Sequence, residues 1–185
     1  MLRSEAWDLL TEWTLGEPLR KHALSVEAAM RAYARRFNQD EELWGLTGLL
    51  HDFDYERHPT AELHPAAGAP VLRERGVAED VIYAIQSHAD YLGLDRAGLM
   101  DKALFAVDEL CGFAIAVALV RPSRSIHDVD VGAVRRKMKD KAFARAVRRE
   151  DIVEGAALLG VEVDEHIATV LGALRPIADQ LGVGS

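Results

Sequence analysis

Three histidines and two aspartates occupy positions where helical spacing calls for apolar side chains. His22 lies between Leu19 and Val26 in "TLGEPLRKHALSVEAAMRAYARRF", at steps of three and four along the apolar stripe. His51, with Asp52 beside it, closes the apolar run "LTGLL". His88 extends the stripe of Val81 and Ile85, and Asp108 shares a face with Leu104, Cys111 and Ile115. One histidine on such a stripe is ordinarily a hydrogen-bonded core residue. Imidazoles and carboxylates on four separate helices are another matter, because each unpaired buried charge is strongly penalised. A divalent cation satisfies all of them together, since it takes neutral imidazole nitrogens and carboxylate oxygens.

The elements that must position these residues are helical almost throughout. Thr14 to Glu17 reads as a capping box with Pro18 in the first turn, ahead of a stripe Leu15, Leu19, Val26, Met30, Tyr33 and Phe37. "DEELWGLTGLLHD" starts a second helix at Asp40. "PAAGAPVLRERG" reads as a helix ended by Gly76, and "AEDVIYAIQSHAD" as one with acids in its first turn. "LMDKALFAVDELCGFAIAVALV" is a long central helix stopped by Pro122. "VGAVRRKMKDKAFARAV", "REDIVEGAALLG" and "DEHIATVLGALRPIADQL" complete the set. Trp7, Trp13 and Trp44 stand beside leucines at helical spacings and are expected to pack the N-terminal helices. The expectation is one all-α domain of seven to nine helices over residues 1–185, with C-terminal helices 130–182 packed on a metal-binding core at about 18–122.

The order His22, His51-Asp52, Asp108 resembles the H…HD…D signature of the HD superfamily of metal-dependent phosphohydrolases, over roughly residues 18 to 122. "HPAAGAPVLRERG" resembles the segment that follows the HD pair in the dinuclear branches, which implicates His64. "VIYAIQSHADYLG" with "LMDKALFAVDEL" is similar to the pattern of HD-type dinucleoside tetraphosphate hydrolases and implicates His88. The resemblance implies two divalent ions, one held by His22, His51, Asp52 and Asp108 and the other by Asp52, His64 and His88. With no thiolate in the set, iron or manganese is favoured, and cobalt, nickel, magnesium or zinc is compatible. The pair is followed by "FDYE", without the IGK sequence of the HDIG branch, and there is no clear GYP motif.

What the resemblance implies is hydrolysis of a small phosphorylated molecule, a nucleotide or dinucleotide, by metal-activated water. Asp52 bridges the ions in that scheme, and Asp54 and Glu56 are candidates for orienting the water, against a reading as solvated loop acids. Phosphate binding calls for cations, and Lys21, Arg57, Arg121, Lys137 and Lys141 are the candidates, with Arg124 near the end of the same helix. Two alternatives stand. The same ligands resemble those of the HD-fold oxygenases, which use a mixed-valent pair of irons, and some HD-like domains are non-catalytic binding modules. His58 is a candidate for the pocket lip, and His127 and His166, flanked by acids, are expected at the surface.

Composition narrows the partners. The chain has 185 residues, 49% hydrophobic and 28% charged, with a net charge of −8. That charge disfavours nucleic-acid polymers and anionic membranes. "LCGFAIAVALV" is too short to span a bilayer, and "MLRSEAWDLLTEW" lacks the apolar core of a signal peptide. The lone Cys111 excludes an internal disulfide. A cytoplasmic monomer or homodimer is the expectation.

Overall fold

The computed structural model describes residues 1–184, and among them there is no strand. Nine α-helices of six or more residues are followed by a four-residue one. They are α1 (Arg3–Trp13), α2 (Glu17–Arg36), α3 (Glu41–Leu50), α4 (Ala69–Glu74), α5 (Glu79–Ser87), α6 (Leu99–Leu119), α7 (Val131–Lys139), α8 (Arg149–Leu158), α9 (Val163–Leu174) and α10 (Ala178–Leu181). This is the expected all-α class.

The two longest helices organise the rest. Helix α2 packs along α3, α6 and α9, while α6 packs on α2, α5 and α8. Two glycines permit the closest approaches. A Cβ on Gly48 of α3 would lie 2.8 Å from the Val26 carbonyl of α2. One on Gly155 of α8 would lie 2.5 Å from Ala106 Cα of α6. Buried apolar residues from Ala6 to Val183 join in a single core cluster, on which Trp44 is buried and Trp7 and Trp13 pack part-exposed.

Three local expectations are corrected. Thr14 does not cap α2: it closes α1, and its buried hydroxyl donates to the Phe53 carbonyl at 3.0 Å. The N-cap of α2 is Gly16, and Leu15, expected on the apolar stripe, is 74% exposed. Helix α4 begins at Ala69 and not at Pro65, because residues 61–68 form turns tied down by the Gly68 amide donating to Asp54. Helix α7 ends at Lys139, where the sequence reads on to Val147. The Arg149 guanidinium gathers the carbonyls of Asp140, Phe143, Ala144 and Val147, holding that stretch as a folded loop.

Candidate metal centre

The ligand candidates converge from four helices and the loop that follows α3. His22 stands in the second turn of α2, His51 caps the C-terminus of α3 with Asp52 in the turn beyond it, and His64 lies in the turns before α4. His88 caps the C-terminus of α5, and Asp108 is mid-way along α6. The glycine-mediated contact of α2 with α3 brings His22 and His51 to ring centroids 5.1 Å apart.

The side chains sort into two groups, His22 with His51 and Asp108, and Asp52 with His64 and His88, the donor atoms of each lying within 4.8 Å of one another. Asp52 faces both. Its Oδ2 is 3.4 Å from His51 Nε2 and 4.0 Å from His22 Nε2, whereas its Oδ1 is 3.2 Å from His64 Nε2 and 3.5 Å from His88 Nε2. Asp108 Oδ1 closes the first group at 2.9 Å from His22 Nε2 and 3.5 Å from His51 Nε2.

Hydrogen bonds behind the rings fit a cation. His51 Nδ1 donates to the Gly48 carbonyl at 2.8 Å, His88 Nδ1 to the Ile85 carbonyl, and His64 Nδ1 to Asp54 Oδ1 at 2.8 Å. Carbonyls and carboxylates only accept, so the proton on Nδ1 is fixed and Nε2 is the nitrogen turned into the centre, free to give its lone pair to a metal once it sheds its own proton. His51 Nε2 is fully buried and has no hydrogen-bond partner, an orphan that a metal would satisfy. Nitrogen and oxygen donors surround the space. Cys111 is buried elsewhere, its Sγ against the Ser25 carbonyl, and burial pushes its thiol pKa up.

The electrostatics run the same way. Burial works against charge on His51, but the Asp52 and Asp108 carboxylates outweigh it and raise its pKa well above the ordinary imidazole range. His64 is likewise opposed by burial yet pushed up to about 9 by Asp52 and Asp54. Asp52 and Asp108 resist the upward push of burial and lie below the usual carboxylate range because of the adjacent histidines. Protons and a metal therefore compete for the same lone pairs, and loading releases protons.

The other expected site residues scatter. Asp54 is buried with its oxygens on His64 Nδ1 and the Gly68 amide. Glu56 accepts the Leu15 and Gly16 amides at the start of α2, away from the centre. Arg57 lies over Trp13 and donates to the Glu12 carbonyl. His58 packs near the same ring. Lys137 pairs with Asp140 over Phe143, Lys141 is exposed in the loop after α7, and Arg121 lies with Lys137 in a different hollow. Lys21 pairs with Glu17 at 2.8 Å beside His22.

A cavity of about 360 Å³ opens onto the centre, and several of its lining residues were missed in the sequence. They include Glu109, Arg148, Asp151, Asp90 and Tyr91. Burial and the Asp108 charge push Glu109 up to about 7. Arg148 reaches Asp90 at 2.7 Å and Asp151 at 3.2 Å. Glu109 was detectable as the acid next to Asp108; Arg148 carried no local signal, since it comes from the start of α8.

Comparison with known families matches the chain to a model described as the HD domain, over residues 19–111. The span contains all six ligand candidates. No solved structure matches the chain.

Proposed function

The chain belongs to the HD domain family, largely metal-dependent phosphohydrolases, and on that premise we propose that it hydrolyses a small phosphorylated substrate. One observation carries the reading: Asp52 turns one carboxylate oxygen to each of two histidine groups, which is how a carboxylate bridges two ions. Bound there, two divalent ions would acidify a water and neutralise the phosphoryl oxygens during in-line attack. In that reaction the water oxygen bonds to phosphorus, the bond to the leaving oxygen breaks with its electron pair, and a proton ends on the leaving group.

The chain's own residues set the stage. His22, His51, Asp52 and Asp108 would hold one ion, and Asp52, His64 and His88 the other, with His64 kept in register by Asp54. Glu109, adjacent to Asp108 on α6 and lining the cavity, is the carboxylate we assign to proton transfer in place of Asp54 and Glu56. Arg148 is the cation at the cavity, in place of the more distant Arg57, Arg121, Lys137 and Lys141.

Elemental analysis of protein purified without chelator tests the centre, on wild type and on Asp52→Ala, His64→Ala and His88→Ala. About two ions per chain are expected, falling toward one or none in the variants, with phosphate release from a phosphoester panel reduced by at least about 100-fold. Oxygen uptake without phosphate release would install the oxygenase chemistry instead. A protein that takes up no metal on reconstitution would end the catalytic reading.

A further inference from the structure

A second cavity, of about 310 Å³, adjoins the first and shares His22 and Gly112 with it. Its floor is the continuation of one face of α6: Asp108, Gly112, Ile115 and Leu119 follow at steps of four, three and four. Past Gly112 the lining is mostly apolar, with Pro18 and Leu181 opposite, and Leu119 is 41% exposed into solvent. The charged side chains there, Lys21 and Glu17, pair with each other at 2.8 Å. The volume lies at the small end of ligand cavities, roughly 300–1,000 Å³.

Gly112 makes the junction. A helix-interior glycine costs stability, and at Gly48 and Gly155 a neighbouring backbone or Cβ explains it. At Gly112 a Cβ would meet nothing closer than His22 Nδ1, at 3.9 Å. Gly112 lines both cavities, and its absent side chain leaves space where the metal-facing cavity meets the apolar one.

Charge limits what the first cavity accepts. Five carboxylates line it, from Asp52, Asp90, Asp108, Glu109 and Asp151, and its one arginine, Arg148, is already engaged with Asp90 and Asp151. Two ions would neutralise one phosphoryl group there, whereas a polyphosphate tail would meet carboxylates. We infer that the substrate is a phosphate monoester with an apolar alkyl or aryl leaving group, seated past Gly112 along Ile115 and Leu119. The monoester half of this rests on the hydrolase reading above; the apolar half rests on the cavity.

The probe is a series of n-alkyl phosphates from methyl to octyl, bound to metal-reconstituted protein and followed by calorimetry, with phosphate release measured in parallel. Kd should tighten by about fourfold per methylene over the first several carbons. Gly112→Leu, which fills that space, and Leu119→Glu, which puts a charge at the exposed far end, should both flatten the series, and Leu119→Glu should leave methyl phosphate binding within about twofold. Metal content and circular dichroism serve as controls for the fold. A flat series in wild type, a slope that survives both variants, or tighter binding of nucleoside triphosphates than of octyl phosphate would overturn the inference. Chain-length-dependent binding without phosphate release would uphold the apolar subsite and remove the hydrolase reading. Release at rates independent of chain length would do the reverse.

Discussion

His166 is fully buried, accepts the Tyr33 hydroxyl at Nδ1 (2.6 Å) and donates from Nε2 to the Ala106 carbonyl (2.8 Å). The carbonyl can only accept, so the ring is neutral with its proton on Nε2. Burial lowers its pKa to about 4. In the unfolded chain the ring titrates near 6.5, so between those values the unfolded state binds the proton that the folded state refuses. Its contribution is therefore intact above about pH 6.5 and declines as pH falls toward 4, by about 2 kcal/mol between pH 7 and pH 5. Urea titrations at the two pH values should show that increment in wild type and not in His166→Gln; an unchanged difference would disprove the assignment. The acids Asp164 and Glu165 made this histidine look like a surface residue, yet its phase with Ile167, Val170 and Leu174 on α9 was the better guide. The same phase reasoning singled out His22, His88 and Asp108, which lie in the two groups at the centre, because a polar residue on an apolar stripe shows in the sequence. The bond from His64 to Asp54 did not show, since it depends on how a loop turns.

At the scale of elements, close helix approaches set the geometry of the centre. Gly48→Ala would press a methyl group against the α2 backbone, and Gly155→Ala one against α6. Each should destabilise by about 1–3 kcal/mol, with Gly48→Ala also weakening metal retention by shifting His51 from His22. Gly172→Ala on α9 provides the contrast, because no atom lies within 4 Å of the added Cβ. It should be neutral or stabilising by up to about 1 kcal/mol. Chemical denaturation of the three variants checks the ranking, and equal losses at all three would refute it. Helix identity was legible from periodicity, but helix ends were not. Lys137 and Lys141 were paired by a spacing of four that assumes continuous helix; α7 stops at Lys139 because Arg149, ten residues later, collects the loop carbonyls. A side-chain clamp of that kind has no signature in hydrophobic periodicity.

Across the whole molecule, the ligand candidates tie α2, α3, α5 and α6 to one point. Metal that binds only the folded chain stabilises it by mass action, about 2.7 kcal/mol when free metal is 100 times Kd. For a chain of this size that corresponds to about 5–10 °C in Tm. Differential scanning calorimetry before and after chelation should show that fall, reversed on reloading, and a Tm indifferent to chelator would contradict it. No helix among the described residues is long and apolar enough to cross a membrane, as the interrupted apolar runs suggested. The order of the ligand candidates was legible in the sequence because each polar residue interrupts an apolar stripe or run at a set point on its helix. Arg148, the cation at the cavity, was not legible, since it reaches there from α8 through tertiary packing.

The depth of His51 has a further consequence. It has no exposed surface, whereas the side chains of His22 and Asp108 keep 22% and 23% of theirs, and the cavity wall includes both of these but not His51. Anything reaching the innermost nitrogen from the cavity must first pass the side chains of its wall, His22 and Asp108 among them. An ion seated against that nitrogen would have the side chains of the wall between it and solvent, and should exchange more slowly than one held at the wall itself.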